Sequence, residues 1–123
     1  ARWFDNNNAY PRTGALAPTR DTNRNIHANV FDLIRKWADD RGLYKGGDTK
    51  TQSLKLVEEV GEICRAILKD NHSDIEDGIG DAVVVLTNLA ELQGTTIEGC
   101  IERAYNEIKD RTGKMSNGTF KKD

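Results

Sequence analysis

Residues 51–69 read TQSLKLVEEVGEICRAILK, and this stretch decides the fold. Leu56, Val57, Val60, Ile63, Cys64 and Ile67 recur at steps of three and four, which predicts a helix with a wide apolar arc. Glu58, Glu59 and Glu62 stand at the margin of that arc. The step from Glu59 to Glu62 sets two carboxylates side by side one turn apart, where they repel unless something positive lies between them.

Outward from this helix, Asp70 to Asp74 is a turn cluster. Ile75, Ile79, Ala82, Val83, Leu86, Leu89 and Ala90 then give another helical pattern, ending at Gly94. The run Val83-Val84-Val85 also suits a buried strand, but the apolar pattern outlasts the ~4–8 residues of one. Thr95 with Glu98 matches a capping box, and Ile97, Cys100, Ile101, Ala104, Tyr105 and Ile108 continue at helical spacing. Past Arg111 the chain reads as a polar loop. On the N-terminal side, Val30, Phe31, Leu33, Ile34, Trp37 and Ala38 form a further stripe. Tyr44 to Thr49, with Gly46, Gly47 and Asp48, reads as a loop with a helix cap. Residues 1–25 hold both prolines and no sustained period, so they read as an N-terminal arm anchored by Trp3, Phe4 and Tyr10. Residues 26–123 read as one helical catalytic domain. The expected fold is all-α and four-helix-bundle-like.

The chain has 123 residues, 37% hydrophobic and 31% charged, with a net charge of -2 and a mean hydropathy of -0.68. A core this small is expected to be completed by a second copy, as a homodimer or homotetramer. The charge gives no broad footprint for nucleic acid or an anionic membrane, no stretch approaches a membrane span, and no secretory signal is evident. The expected location is the cytoplasm. Cys64 and Cys100 sit in apolar helical patterns, without disulfide or zinc spacing, and read as reduced core thiols. Asn71-His72-Ser73 and Asn117-Gly118-Thr119 read as turns.

Glu76, Asp77 and Asp81 border the apolar run of the Ile75–Ala90 segment, so carboxylates from two helices are expected to meet. Oxygen ligands without His or Cys suit Mg2+, with Mn2+ possible, rather than zinc. An alternative is a solvated acidic face balanced by Lys55, Arg65 and Lys69.

Residues 37–43 (WADDRGL) and 52–62 (QSLKLVEEVGE) resemble the MazG-like nucleotide pyrophosphohydrolases, whose signature is EExxE, a spacer and ExxD. Glu58-Glu59-Val60-Gly61-Glu62 fits the first half, Gly80-Asp81 resembles the end of the second, and residues 106–115 resemble the family's C-terminal stretch. The resemblance, over roughly residues 26–120, implies a MazG fold that hydrolyses (deoxy)nucleoside triphosphates to the monophosphate and pyrophosphate in nucleotide-pool control. It implies Glu59, Glu62 and Asp81 as metal ligands, with Glu58 binding a second ion or orienting the water. The family's second pair needs a glutamate where this chain has Gly78; Asp77, on nearly the same helical face, or water takes its place. Lys55, Asn106, Lys109 and Lys114 are candidate phosphate contacts. Trp37 either stacks on the base or packs in the core, and its place on an apolar stripe favours the core. Asn88 either bonds a base edge or satisfies a buried polar contact.

Two other readings compete. A di-metal oxidase in a helical bundle needs Glu-x-x-His pairs, and neither His27 nor His72 lies three residues after a glutamate. A non-catalytic helical interaction module with a degenerate metal site is the second.

Overall fold

A computed structural model describes residues 20–123, with side chains from residue 30 onward. Trp3, Phe4 and Tyr10 of the expected arm lie outside the described residues. Five helices follow in order: α1 (Arg20–Asp40), α2 (Leu43–Gly46), α3 (Thr49–Leu68), α4 (His72–Leu92) and α5 (Ile97–Ile108). A two-stranded antiparallel hairpin, β1 (Gly113–Ser116) and β2 (Thr119–Lys122), closes the chain.

Local chemistry sets these boundaries. Asp48 caps α3 as expected, its carboxylate accepting from the Thr51 N–H at 2.8 Å. The turn from α3 to α4 is tight: Asp70 takes a left-handed φ of 54°, and the N–H groups of Asp70 and Asn71 donate to the carbonyls of Ile67 and Ala66. This is a Schellman ending with aspartate where glycine is usual. The same motif ends α4 around Gly94 (φ 78°), with Gly94 and Thr95 donating to Glu91 and Ala90.

Several boundaries differ from expectation: α2 forms at the edge of the loop expected over residues 44–49, and α4 begins at His72, inside the turn expected over residues 70–74, because Asn71 caps it there. α1 starts at Arg20, ten residues before the apolar stripe begins at Val30. The cap of α5 is Thr96, not Thr95: its hydroxyl accepts from the Gly99 N–H at 3.0 Å. The capping box therefore does not form, because Glu98 is taken by Arg35 at 2.7 Å, joining α1 to α5. The polar loop expected past Arg111 is the hairpin, turned by Asn117 (φ 52°) and Gly118 (φ 81°), a pair of left-handed residues that suits a two-residue hairpin turn.

α3 and α4 form the main helix pair. They run antiparallel, since Gln93 bonds Thr49 at 2.8 Å near one end and Gly78 abuts Ile63 nearer the other. α1 and α2 pack on α4, and α5 rests on its C-terminal part. Ile34, Ala38, Val84, Val85, Ala90 and Ile97 are buried. α3 departs from an ordinary amphipathic helix: Gln52 and Glu59 are buried, whereas Leu54, Val57, Val60, Ile67 and Leu68 are exposed. Cys64 and Cys100 are free but exposed, not in the core, because the apolar faces that carry them are uncovered within one chain. No helix among the described residues is long and apolar enough to cross a membrane.

Candidate metal centre

Glu59 and Glu62 leave α3 one turn apart, and Asp81 faces them from α4. One oxygen from each of the three lies within 4.8 Å of the others. Glu59 has no exposed surface, and neither of its carboxylate oxygens has a hydrogen-bond partner. Burial, with the nearby charges of Glu62 and Asp81, pushes its pKa above the ordinary carboxylate value. A buried, unbonded carboxylate beside two more acids is costly for a folded chain. A hard divalent cation supplies what the arrangement lacks, and three carboxylates without histidine or cysteine fit Mg2+ or Mn2+ chemistry.

The structure separates the other expected residues. Asp77 is half-buried and lines an adjoining cavity with Glu62 and Asp81, outside the three-carboxylate group. Glu58 is exposed, 3.6 Å from the Lys55 ammonium, which stands half-buried at the same level of α3. Trp37 is half-buried, with the Arg41 guanidinium 4.6 Å from its ring centroid. Asn88 has no exposed surface and accepts the Tyr44 hydroxyl at 2.7 Å, whose pKa burial pushes up to about 12. Asn106 of α5, Lys109 at its C-cap and Lys114 of β1 are exposed and line neither the cluster nor the cavity.

Gly78, which stands in the place of the expected glutamate, is buried; a β-carbon there would lie 2.7 Å from Cγ1 of Ile63. The missing ligand thus coincides with a close approach of α4 to α3. The cavity, about 260 Å³, is bounded by Glu62 and Arg65 on α3, by Lys69 at its C-cap, and by Asp74, Asp77 and Asp81 on α4. Arg65 and Lys69 read only as balancing charges in the sequence; no motif pairs them with the acids, and only the antiparallel register does.

The family model of the MazG nucleotide pyrophosphohydrolase domain matches residues 48–116. The chain belongs to the MazG family. The match takes in α3, α4, α5 and β1, and so all three clustered carboxylates. The chain is also 41% identical over 58 residues to an uncharacterized 18.2 kDa protein of the rep-hol intergenic region of Haemophilus phage HP1 (strain HP1c1). That stretch is 47% of this chain and 36% of the phage protein, so the MazG-like segment spans about a third of its relative's length. No solved structure matches the chain.

Proposed function

We propose that this chain hydrolyses (deoxy)nucleoside triphosphates to the nucleoside monophosphate and pyrophosphate, using a divalent cation, Mg2+ or Mn2+, and that it serves nucleotide-pool control. The observation that carries the reading is Glu59, fully buried with both oxygens unbonded, converging with Glu62 and Asp81. These three residues would hold the cation; when bound, it neutralises phosphate oxygens and lowers the pKa of an attacking water.

The chain's own groups have distinct tasks in this reading. Lys55, steered by Glu58, presents an ammonium to phosphate at the edge of the cluster. Glu58 itself, exposed in this state, orients water or meets a second ion. Asp77, in the adjoining cavity, reaches the cation directly or through water. Trp37, backed by Arg41, offers a ring to the base, and Asn88 fixes Tyr44 behind it. Asn106, Lys109 and Lys114 serve the site of a neighbouring copy.

That last assignment goes with a homodimer or homotetramer, in the cytoplasm, with nucleotides and not nucleic acid or membrane as partners. Exposed Ile101, Tyr105 and Ile108 of α5, together with the outer face of α3, support assembly. Sedimentation showing a monomer at micromolar concentration would remove this part of the reading.

The test of the activity is pyrophosphate release with Mg2+ from a panel of ribo- and deoxynucleoside triphosphates, with Glu59→Gln as the control. Release that disappears in the variant supports hydrolysis. Gly78, packed on Ile63 where the family has a ligand, favours one second reading, a non-catalytic module whose site has degenerated. No release from any nucleotide together with no stabilisation by Mg2+ would favour that module, whereas stabilisation by Mg2+ argues against it.

A further inference from the structure

We propose that Arg65 and Lys69 seat the terminal phosphates of the nucleotide, the part that departs as pyrophosphate, in the cavity beside Glu62 and Asp81. The proposal rests on the hydrolase reading and adds to it two residues and a direction for the phosphate chain.

The cavity holds about 260 Å³, below the ~300–1,000 Å³ of pockets that enclose a drug-sized ligand. It therefore takes part of a nucleotide. Ala66 is its one apolar side chain, so it offers a base neither an aromatic platform nor a flat apolar wall. Charge and size both select the phosphates.

Arg65, in the last turn of α3, and Lys69, its C-cap, lie four residues apart, the Lys69 N–H donating to the Arg65 carbonyl, so the two fall on one side of the helix end. Carboxylates of Glu62, Asp74, Asp77 and Asp81 border the same space, yet among the described residues neither cation is in an ion pair. Their donors are available to an oxygen-rich ligand, for which a guanidinium forks over two oxygens and an ammonium acts as a point charge. The amino end of α4, capped by Asn71, adds partial positive charge at the same end of the cavity.

Carboxylates and cations share this lining, which brings acid oxygens close to any phosphate that enters it. A divalent cation between those acids and the phosphate oxygens is what lets the two share the space. Glu59 marks where that cation is needed, being buried and unbonded behind Glu62 and Asp81. Lys69 lies seven residues beyond Glu62, about 10 Å along the helix axis at 1.5 Å per residue. The phosphate chain accordingly runs from the carboxylate cluster toward the α3–α4 turn, with the base on the opposite side, toward Lys55.

Calorimetric titration of the full chain with inorganic pyrophosphate tests the seat independently of turnover. Pyrophosphate is expected to bind with Mg2+ and not with a chelator. In Arg65→Gln/Lys69→Gln its affinity should fall at least tenfold, while the thermal shift given by Mg2+ alone stays unchanged and shows an intact fold and cluster. Lys69→Gln alone, at an exposed position, should fall at least threefold and covers a double variant that does not fold. Equal affinity in parent and variants, or no binding by the parent with Mg2+, overturns the seat. If the parent binds pyrophosphate through these residues yet hydrolyses no triphosphate, the seat stands and the hydrolase reading fails; turnover with pyrophosphate affinity indifferent to the substitutions gives the reverse.

Discussion

Gly78 and Ile63 touch across the α3–α4 interface so closely that a β-carbon on the glycine would come within 2.7 Å of Ile63 Cγ1. Isoleucine in a helix is nearly confined to one χ1 rotamer, so it yields poorly. Restoring the family glutamate at this position is therefore expected to force the helices apart and to weaken the cation site. Gly78→Ala should lose about 1–3 kcal/mol to overpacking, offset by up to about 1 kcal/mol of helix propensity. Ile63→Val in the same chain should recover part of the loss. Denaturant melts of the four species give the coupling, and strictly additive effects would mean that the two residues do not press on each other.

Glu59 sets stability against function. Glu59→Gln removes a buried charge, and the new amide can donate to Glu62 or Asp81. The metal-free protein should gain about 1 kcal/mol, or roughly 4–8 °C in a domain of this size. The same variant should show no thermal shift with Mg2+. A lower melting temperature without metal would mean that Glu59 has a stabilising partner in the apo protein.

Asp81 and Asp77 should separate in a magnesium titration. Asp81→Asn removes one of the three converging oxygens and is expected to abolish the Mg2+ shift. Asp77→Asn, acting from the adjoining cavity, should weaken binding less than tenfold. Equal losses would place Asp77 among the direct ligands.

Two glutamates predict opposite pH trends. Arg35 holds Glu98 below the ordinary carboxylate range, so its contribution is present above the unfolded value, ~4.3, and is lost as pH falls through the lower folded value. Glu98→Gln should flatten this acid limb, modestly because the pair is partly exposed and screened. Glu59 is shifted upward. Its contribution to the metal-free fold is complete below the unfolded value and disappears as pH rises through the folded one, over which range Mg2+ affinity should climb. Thermal melts from pH 3 to 8, with and without Mg2+, resolve the two limbs. A metal affinity that is flat with pH would detach Glu59 from the cation site.

At the α3–α4 turn, Asp70 holds a left-handed backbone that costs glycine nothing. Asp70→Gly should stabilise the protein by about 0.5–1 kcal/mol, provided the hydrogen bonds to Ile67 and Ala66 persist. Chemical denaturation checks this, and a destabilised variant would show that the aspartate side chain contributes to the turn.

The sequence reported periodicity and caps well and faces poorly. Asp48 and Gly94 announce their helix ends, and the resemblance to the MazG signature names Glu59, Glu62 and Asp81, which the structure brings together; spacing alone leaves a solvated acidic face equally open. Thr95 with a Glu three residues on reads as a reciprocal box in the sequence; the pull of Arg35 on Glu98 comes from another helix and leaves no local trace. The hairpin was missed although Asn117-Gly118 is a turn signal, because Lys114, Ser116, Lys121 and Lys122 leave only Met115 and Phe120 as an apolar cross-strand pair. Gly78 was legible as an absence, but its contact with Ile63 required the antiparallel register. For the same reason the sequence could not relate Arg65 and Lys69 to Asp74 and Asp77.

α3 is built inside out, with acid and amide in its seam and bare leucine and valine outside. A helix of that kind is poorly held by its own chain. Whatever neutralises the seam or covers the outer face adds its binding free energy to folding, so under the proposed cation and second copy, chelation and dilution are expected to act on the molecule as denaturants do. The form that best survives proteolysis is then the loaded one, and cellular abundance becomes a readout of occupancy.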